Sequence, residues 1–218
     1  MNKLAIWLPT YKRPHKLQQV ADNIQETTKN SYTLYFGLEP EDEAGIEAAR
    51  KVKGAKVVIN QYKMGYADTI QTMYESSSEP FAVHVNDDFL FLPNWDEQPI
   101  AMFEAPHIMM VGVKQREQDT DCSAVCFWRR TYIETQSGVI DMPNRVFYPY
   151  NHNYQDTEST QTAQARGVWA KCDAPCIDHQ HPGFTGGIKD ETYKKNDATA
   201  GIDERTFDSR KHLWQSLA

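Results

Sequence analysis

Three adjacent polar residues, Asn86, Asp87 and Asp88, directly follow an apolar run at 81–85 that predicts a β-strand. Two acids at the end of a buried strand lie at the carboxyl edge of a sheet, where burial without a partner is costly. Carboxylate oxygens are the ligands that Mg²⁺ and Mn²⁺ prefer, and such an ion neutralises a diphosphate. The motif is therefore a candidate metal and phosphate site. The alternative is a strand-to-turn cap, because Asn and Asp favour turns.

A second group of candidate ligands, His179 and His181, lies far along the chain from the acidic pair. On an extended segment, residues two apart point to the same face, so either imidazole could complete the coordination of a metal held by Asp88. A pair of surface histidines in a loop is the alternative. The presence of an acidic pair that lacks neutral ligands favours coordination.

Asp156 is the third candidate, at the start of a helix predicted over 156–166. As an N-cap its role would be structural. As a functional residue it would be kept ionised at neutral pH by the helix N-terminus. It could then accept a proton from a hydroxyl nucleophile.

The elements that must position these residues alternate between strand and helix patterns in the first half of the chain. Continuous apolar runs predict strands at 4–8, 32–38, 57–59 and 81–85. Apolar residues at helical spacing predict the helices between them. This alternation indicates a parallel sheet covered on both faces, with ligands at the carboxyl edge beside the switch in strand order. The second half is less regular, with strands at 108–113, 123–128 and 168–171, a loop at 142–154 and a polar tail.

Composition and charge exclude several classes of protein. The 218 residues are 40% hydrophobic with 11 Gly and 11 Pro, which excludes low-complexity disorder and allows one substantial core. The 23 basic and 30 acidic residues give a formal charge of −7, which disfavours a broad nucleic-acid-binding surface. No apolar run approaches the roughly 18–20 residues of a membrane helix, and the run at 4–8 is too short for a secretory signal. We therefore expect a cytoplasmic protein without a membrane span.

Four cysteines form two similarly spaced pairs, Cys122 with Cys126 and Cys172 with Cys176. Residues four apart along a regular strand are separated by ~13 Å, too far for their sulfurs to share a zinc ion or a disulfide. A zinc site would need a bulge or pairing between the two motifs. Reduced thiols in the core are the favoured interpretation.

Several segments together resemble the family-2 glycosyltransferases of the GT-A fold, and the resemblance covers nearly the whole chain. The segment at 4–14, an apolar strand followed by Pro-Thr-Tyr-Lys-Arg-Pro, is similar to the opening of that family. The segment at 86–95 resembles its DxD motif with the following Pro and Trp. Residues 63–67 take the place of its Gly-containing turn, and 127–156 resembles the stretch that carries the catalytic acid pair. The tail at 179–210 is similar to that of small phage-encoded members.

The resemblance implies a single α/β domain of the GT-A type, with a mostly parallel central sheet and helices on both faces. Residues 1–182 would form this domain, with 1–95 as the nucleotide-binding half and 96–182 as the acceptor and catalytic half. Residues 183–218 would form a C-terminal lid or helical tail, hinged at the glycines of 183–187. A phage-encoded member would work in the host cytoplasm.

The resemblance also implies roles for individual residues. Asp88 would ligate Mn²⁺ or Mg²⁺, His179 or His181 would supply a further ligand, and Asp156 would be the general base. The residues expected to hold a nucleoside-diphosphate sugar are Pro9, Thr10 and Arg13 along the nucleotide, Glu39 and Asp42 near its base or ribose, Lys63 and Gly65 in the glycine turn, and Asn86 and Asp87 beside the ribose or sugar. Asn86 replaces the first acid of the DxD motif, and 39–42 departs from the usual Asp-x-Gly/Ser. The nucleotide therefore stays open, with a UDP-sugar favoured.

The implied reaction is a single displacement that transfers a hexose or pentose to an acceptor hydroxyl and inverts its anomeric configuration. The acceptor stays open between a hydroxymethylated base of phage DNA, a glycan and a protein. A local cationic edge for DNA could include Arg129, Arg130, Lys189, Lys194, Lys195, Arg205 and Lys211, although a mixed-charge surface is favoured. The alternatives are a catalytically degenerate nucleotide- or sugar-binding module and a sugar nucleotidyltransferase. The sequence does not support a sugar nucleotidyltransferase, because no Gly-rich loop follows the first strand. The oligomeric state stays open.

Overall fold

One mixed sheet organises residues 3–115, 124–187 and 189–217, the part of the chain that the computed structural model describes. Its strands are β1 (Leu4–Thr10), β2 (Tyr32–Leu38), β3 (Lys56–Ile59), β4 (Phe81–His84), β5 (Phe89–Phe91), β6 (Met110–Gln115), β7 (Cys126–Arg129) and β8 (Trp169–His179). The helices are α1 (Leu17–Thr27), α2 (Glu43–Lys51), α3 (Tyr66–Ser76), α4 (Glu97–Met102), α5 (Arg130–Thr135), α6 (Gln155–Ala165), α7 (Pro182–Thr185), α8 (Glu191–Arg210) and α9 (His212–Gln215). The strand order is β3-β2-β1-β4-β7-β6-β8-β5.

The first half of the chain forms a parallel sheet that is buried on both faces. β1 pairs in parallel with β2 and with β4, and β2 pairs in parallel with β3. Leu4 and Ile6 pack on one face in the cluster that includes α1, whereas Ala5 and Trp7 pack on the other with α3. Burial on both faces explains why the strand sequence is continuously apolar rather than alternating. The predicted α/β class and its mostly parallel sheet are confirmed.

The second half extends the sheet in mixed directions. β7 runs antiparallel to both β4 and β6, β8 runs parallel to β6, and β5 adds an antiparallel edge to β8. The prediction of a short strand at 168–171 was wrong, because β8 continues to His179. The register shifts on both sides of Lys114 of β6, so β8 accommodates two extra residues between Cys172 and Pro175 and one more between Pro175 and Ile177. This irregularity breaks the alternation from which strands are recognised in a sequence.

The same bulge brings Cys172 and Cys176 into hydrogen-bonding contact, so the wide sulfur separation expected for a regular strand does not apply to this pair. Both are buried free thiols, as is Cys126. Cys122 lies outside the described residues. Over the described parts of the chain, no helix is both long enough and apolar enough to cross a bilayer.

The C-terminal helices pack against α6 rather than standing apart from the sheet domain. Arg210 at the end of α8 is hydrogen-bonded to the carboxylates of Glu158 at 2.9 Å and Asp141 at 2.6 Å. Phe207 stacks on Tyr154 with ring centroids 4.8 Å apart. The distal part of the predicted tail is thus anchored by a buried ion pair and aromatic packing.

Replacing Arg210 by Ala should destabilise the fold strongly. The side chain of Glu158 is only 2% exposed, so the change leaves a buried carboxylate without its cation. Breaking a buried pair in this way costs about 3–5 kcal/mol. The free energy of unfolding in urea measures the loss. Lys211→Ala is the matched control, because its pair with Asp208 is exposed and should contribute less than about 1 kcal/mol. Equal losses in the two variants would show that α8 is not held by Arg210.

Candidate active site

The loops after β1 and β4 meet where the strand order reverses, the place at which α/β sheets bind ligands. Asp87 joins them. Its Oδ2 accepts a hydrogen bond from Thr10 Oγ1 at 2.8 Å, and its Oδ1 accepts one from Arg13 Nη1 at 2.6 Å. Lys16 Nζ lies 3.9 Å from the same Oδ1. The structure therefore brings together Thr10, Arg13 and Asp87, three of the predicted nucleotide-binding residues. Arg13 and Lys16 are the two cations that face the buried carboxylate.

Asp88 has different partners from its neighbour. Its Oδ2 accepts a hydrogen bond from the Tyr193 hydroxyl at 2.7 Å and lies 3.3 Å from His179 Nε2. Its Oδ1 is buried and has no hydrogen-bond partner. Burial acts to raise the pKa of Asp88, but the hydrogen bonds and charge of His179, with Tyr193, outweigh it and lower the pKa to about 2. Asp88 is thus an ionised carboxylate with one unsatisfied oxygen, which a divalent cation would satisfy.

His179 is held in an orientation suited to metal binding. It is the last residue of β8 and pairs with Phe89, against which its ring packs edge-on at 4.7 Å. Its Nδ1 is 2.9 Å from Gln115 Oε1. Because that oxygen is an acceptor, Nδ1 can donate to it, and Nε2, the nitrogen directed at Asp88, can exchange its proton for a metal ion. A histidine ligand whose other nitrogen donates to a fixed acceptor is the usual arrangement around bound metals.

His181 occupies a more distal position. Its Nδ1 accepts a hydrogen bond from Gly183 N at 3.0 Å and so caps α7. Its ring lies 5.5 Å from that of His179 and packs edge-on to Tyr193 at 4.7 Å. Within the described ranges, no three His, Cys, Asp or Glu side chains form a ready-made metal site. Asp88 and His179 nevertheless fit Mg²⁺ or Mn²⁺, because such ions often take one or two protein ligands and complete their shell with phosphate oxygens and water.

Asp156 lies in the first turn of α6, and the prediction that it is the N-cap was wrong. Tyr154, with a left-handed backbone at φ 74°, precedes the helix. Asp156 Oδ1 instead accepts a hydrogen bond from the adjacent Thr157 N at 2.9 Å. Burial raises the pKa of Asp156 and outweighs its local hydrogen bonds, so the helix end does not set the direction of the shift. A carboxylate with a raised pKa is a stronger proton acceptor than an exposed one.

Tyr66 links Asp156 to the acidic end of β4. It is the first residue of α3, directly after Gly65, whose φ of 88° favours glycine. Its hydroxyl donates to Asn86 Oδ1 at 3.2 Å. Burial raises the pKa of Tyr66, and the charges of Asp156 and Asp88 raise it further. Tyr66 is therefore within electrostatic range of both acids and is hydrogen-bonded to the residue next to Asp87.

His152 also belongs to this region and had no signal in the sequence. Its ring packs edge-on to Tyr66 at 5.8 Å. Burial lowers the pKa of His152, while the charges of Asp203 and Asp88 act in the opposite direction. It sits in the irregular loop before α6, where no periodicity marks a functional position. Tyr66 could have been suspected, since it directly follows the glycine turn.

Glu39 and Asp42 point at backbone amides. The Glu39 carboxylate accepts hydrogen bonds from Gly65 N at 2.7 Å and from Met64 N at 3.1 Å. Asp42 caps α2 through Gly45 N at 3.0 Å and accepts a bond from Lys12 N at 2.7 Å. The two acids therefore shape the loops around the site. Their predicted proximity to a base or ribose stays a prediction.

The other predicted nucleotide-binding residues lie around the same loops. Lys63 Nζ binds Glu41 at 2.7 Å and the Tyr11 hydroxyl at 2.9 Å, above the Tyr11 ring. Pro9 lies within β1 opposite Gly37 of β2. Lys12 Nζ also lies over the Tyr11 ring, 5.2 Å from its centroid. This part of the site is therefore a solvent-facing group of Lys12, Lys63 and Tyr11.

The first turn of α8 reaches into the site. Asp190 Oδ2 accepts a hydrogen bond from Arg13 Nε at 3.0 Å and forms an ion pair with Nη2 at 2.8 Å. The Arg13 guanidinium lies 4.6 Å above the Tyr193 ring, whose hydroxyl binds Asp88. Residues of the predicted tail thus contact the two side chains best suited to hold a phosphate and a metal ion.

No protein-family model and no curated protein matches this sequence. Solved structures do match the fold. The mannosyltransferase PcManGT from Pyrobaculum calidifontis, in complex with GDP-Man and Mn²⁺, superposes with a TM-score of 0.63 at 16% identity. The match covers 80% of this chain and 56% of the mannosyltransferase, so this chain spans little more than half of that protein.

Glucosyl-3-phosphoglycerate synthase from Mycobacterium tuberculosis, with Mn²⁺, UDP and glucosyl-3-phosphoglycerate, superposes with a TM-score of 0.65 at 12% identity. That match covers 83% of this chain and 72% of the synthase. The same enzyme has been solved with Mg²⁺ and UDP, with a TM-score of 0.62. The predicted fold is confirmed: the chain has the α/β fold of GT-A glycosyltransferases.

Proposed function

We propose that this protein is a metal-dependent glycosyltransferase that moves a sugar from a nucleoside-diphosphate sugar, a UDP-sugar being favoured, to an acceptor hydroxyl with inversion. The observation that carries the proposal is the buried, unpartnered Oδ1 of Asp88 beside His179. Asp88 lies at the strand-order switch, and the charges of both Asp88 and Asp156 act on Tyr66. The fold likeness supports the proposal, because the matched structures hold Mn²⁺ with GDP-Man or UDP.

Asp88 and His179 would hold the cation, and Arg13 with Lys16 would face the diphosphate. When bound, Mn²⁺ or Mg²⁺ offsets the negative charge that develops on the leaving nucleoside diphosphate. Arg13 contributes to the same task, because its planar guanidinium can pair with two phosphate oxygens. Its present partners, Asp87 and Asp190, show that it already binds anionic oxygens at 2.6 and 2.8 Å.

Asp156 would accept the proton of the acceptor hydroxyl. The new bond forms between that oxygen and the anomeric carbon, the bond from the anomeric carbon to the phosphate oxygen breaks, and the electron pair leaves with the diphosphate. Attack from the face opposite the leaving group inverts the configuration, and no covalent enzyme intermediate is needed. The raised pKa of Asp156 suits this role, since it increases the driving force for proton transfer.

Asn substitutions at the two acids should separate metal binding from proton transfer. Asp88→Asn removes the metal carboxylate, so we expect loss of Mn²⁺-dependent UDP binding and of donor turnover. Asp156→Asn should retain Mn²⁺-dependent UDP binding and lose about 10²–10⁴-fold in transfer rate. Calorimetric titration with Mn²⁺ and UDP or GDP, and release of diphosphate from UDP- and GDP-sugars, are the two measurements.

The same assays distinguish the alternative functions. Full metal-dependent turnover by Asp88→Asn would contradict the proposal. Nucleotide binding by the wild-type protein without transfer or donor hydrolysis would favour the catalytically degenerate module. Formation of a nucleotide sugar from a nucleoside triphosphate and a sugar phosphate would favour the nucleotidyltransferase.

The acceptor we propose is a hydroxyl of a glycan or other small acceptor rather than a hydroxymethylated DNA base. Three cations of the suggested DNA-binding edge pair with acids: Arg130 with Glu134 at 3.0 Å, Lys189 with Asp197 at 2.7 Å, and Lys211 with Asp208 at 2.6 Å. Arg129 is engaged with backbone carbonyls and the rings of Phe81 and Phe103. These contacts indicate a mixed-charge surface.

Mass spectrometry of acceptors incubated with protein, UDP-sugar and Mn²⁺ tests this choice. We expect no glycosylation of a duplex that contains 5-hydroxymethyl pyrimidines. Glycosylation of that duplex, with binding that weakens steeply as salt rises, would instead establish DNA as the acceptor.

We propose further that the start of the tail acts as a lid over the donor site. Tyr193 and Asp190 hold the side chains that a metal ion and a diphosphate would require. Gly186, at φ 72°, ends α7 just before this segment and gives it a flexible joint. Donor entry must therefore break the contacts of Tyr193 and Asp190, and the lid competes with the donor.

Removing the Tyr193 hydroxyl should strengthen donor binding. A hydrogen bond to a charged group contributes roughly 1.5–3 kcal/mol, so Tyr193→Phe should raise the affinity for Mn²⁺ and UDP about tenfold or more. Calorimetric titration measures the change, and Tyr62→Phe, at a side chain 64% exposed, is the control. Weaker binding by Tyr193→Phe would show that the hydroxyl supports the metal carboxylate instead of blocking it.

A further inference from the structure

An aromatic pair, Tyr66 and His152, lies in the region bordered by Asp88 and Asp156. The two rings meet edge-to-face at 5.8 Å. Tyr66 is hydrogen-bonded to Asn86, beside the acidic pair, and its pKa is raised by the charges of Asp88 and Asp156. The charges of Asp88 and Arg13 also act on His152. Tyr66, His152 and Asp156 all keep part of their surface accessible although burial dominates their pKa shifts. Side chains that are partly accessible in this way can contact a bound ligand.

Asn86 fixes the tyrosine side of this pair. Its Oδ1 accepts the Tyr66 hydroxyl hydrogen bond at 3.2 Å. An aspartate at this position would add a third negative charge to those of Asp87 and Asp88. A neutral amide accepts the same hydrogen bond without that repulsion. The departure from the acidic motif at position 86 thus has a physical reason in this chain.

Asp203 of α8 fixes the histidine side of the pair. It is 1% exposed and accepts hydrogen bonds from the backbone N–H groups of Asn151, His152 and Asn153, each at 2.9 Å. The Asn151 side-chain amide adds a fourth bond at 2.8 Å. A carboxylate that satisfies three successive backbone donors holds their loop in one conformation. Asp203 therefore fixes the backbone from which the His152 ring projects.

If the proposed reaction takes place, the transferred sugar must lie between these groups. This inference therefore rests on the proposed function. One end of the donor, the diphosphate, is expected at Asp88 and Arg13. The other end, the anomeric carbon under attack, must come within reach of Asp156. The region bordered by both acids is the one that Tyr66 and His152 line.

We propose that Tyr66 and His152 contact the transferred sugar and determine which sugar is accepted, and that Asp203 is the positioning residue for His152. Rigid aromatic rings offer an apolar surface to the C–H groups of a sugar ring, and the imidazole nitrogens offer hydrogen bonds to its hydroxyls. Because Asn86 and Asp203 hold both rings in place, little conformational entropy is lost when the sugar binds.

The ratio of the Kd for UDP to the Kd for a UDP-sugar tests this proposal, because it isolates the contribution of the sugar. Calorimetric titrations with Mn²⁺ would use UDP, UDP-glucose and UDP-galactose, and the GDP and GDP-mannose pair, on the wild type and on His152→Ala. We expect the affinity for the free diphosphate to change less than twofold. The sugar-dependent ratio should fall about tenfold for the preferred donor. His107→Ala, at an exposed histidine, is the matched control.

Two further variants address the tyrosine and the positioning residue. Tyr66→Phe keeps the ring and removes only the hydroxyl bonded to Asn86, so it should alter the preference between donor sugars with little change in UDP affinity. Asp203→Asn should reduce the sugar-dependent ratio as His152→Ala does. The double variant should lose no more than His152→Ala alone, because Asp203 acts through His152.

The outcomes separate this proposal from the proposed function. A wild-type protein that binds neither UDP nor GDP with Mn²⁺ overturns both. Wild-type binding with an unchanged sugar-dependent ratio in His152→Ala and Tyr66→Phe overturns the sugar contact alone. Equal weakening of UDP and UDP-sugar by His152→Ala also overturns it, since the residue would then support the whole site rather than the sugar.

Discussion

Two adjacent carboxylates at the end of β4 concentrate negative charge at the point where the strand order of the sheet reverses, and the rest of the site is arranged around that charge. Asp87 is neutralised from the β1 side by Arg13, with Thr10 as a neutral donor. Asp88 is only partly satisfied, because one of its oxygens is buried without a partner. A folded protein tolerates a buried carboxylate oxygen without a protein partner where a ligand supplies that partner. This incomplete carboxylate is the physical reason to look for a cation here.

The C-terminal helix α8 ties the two sides of the site together. Its first turn contacts Arg13 and Asp88 through Asp190 and Tyr193. Asp203, near its middle, holds the loop before α6, and Arg210 at its end is buried against Glu158. The fully buried anchor lies at the end of the helix, and the part-buried contacts lie at its start. A movement of the first turn would therefore open the donor side without disturbing the loop that carries His152.

The sequence predicted the parallel half of the fold well, because strands buried on both faces are continuously apolar and the helices between them have a clear period. It also predicted that Asp88 and His179, whose types and positions at strand ends carry a chemical signal, lie close together, and they are 3.3 Å apart. It did not predict the length of β8, since the bulge around Ala174 and the polar residues nearby hide the strand pattern.

The less regular parts of the site could not be predicted for a related reason. His152 belongs to a loop fixed by a distant carboxylate, and Tyr193 belongs to a largely polar helix. Neither position follows from local periodicity, and both depend on contacts between residues 50 or more positions apart, such as His152 with Asp203 and Tyr193 with Asp88. Only the tertiary structure brings them to the site.

A crystal structure of the protein with Mn²⁺ and UDP, with the metal located by anomalous scattering, tests the central claim most directly. We expect one manganese ion within about 2–2.5 Å of an Asp88 oxygen and in contact with His179 Nε2 and the diphosphate. A manganese ion or nucleotide bound elsewhere, with the Asp88 carboxylate still held by Tyr193, would contradict it.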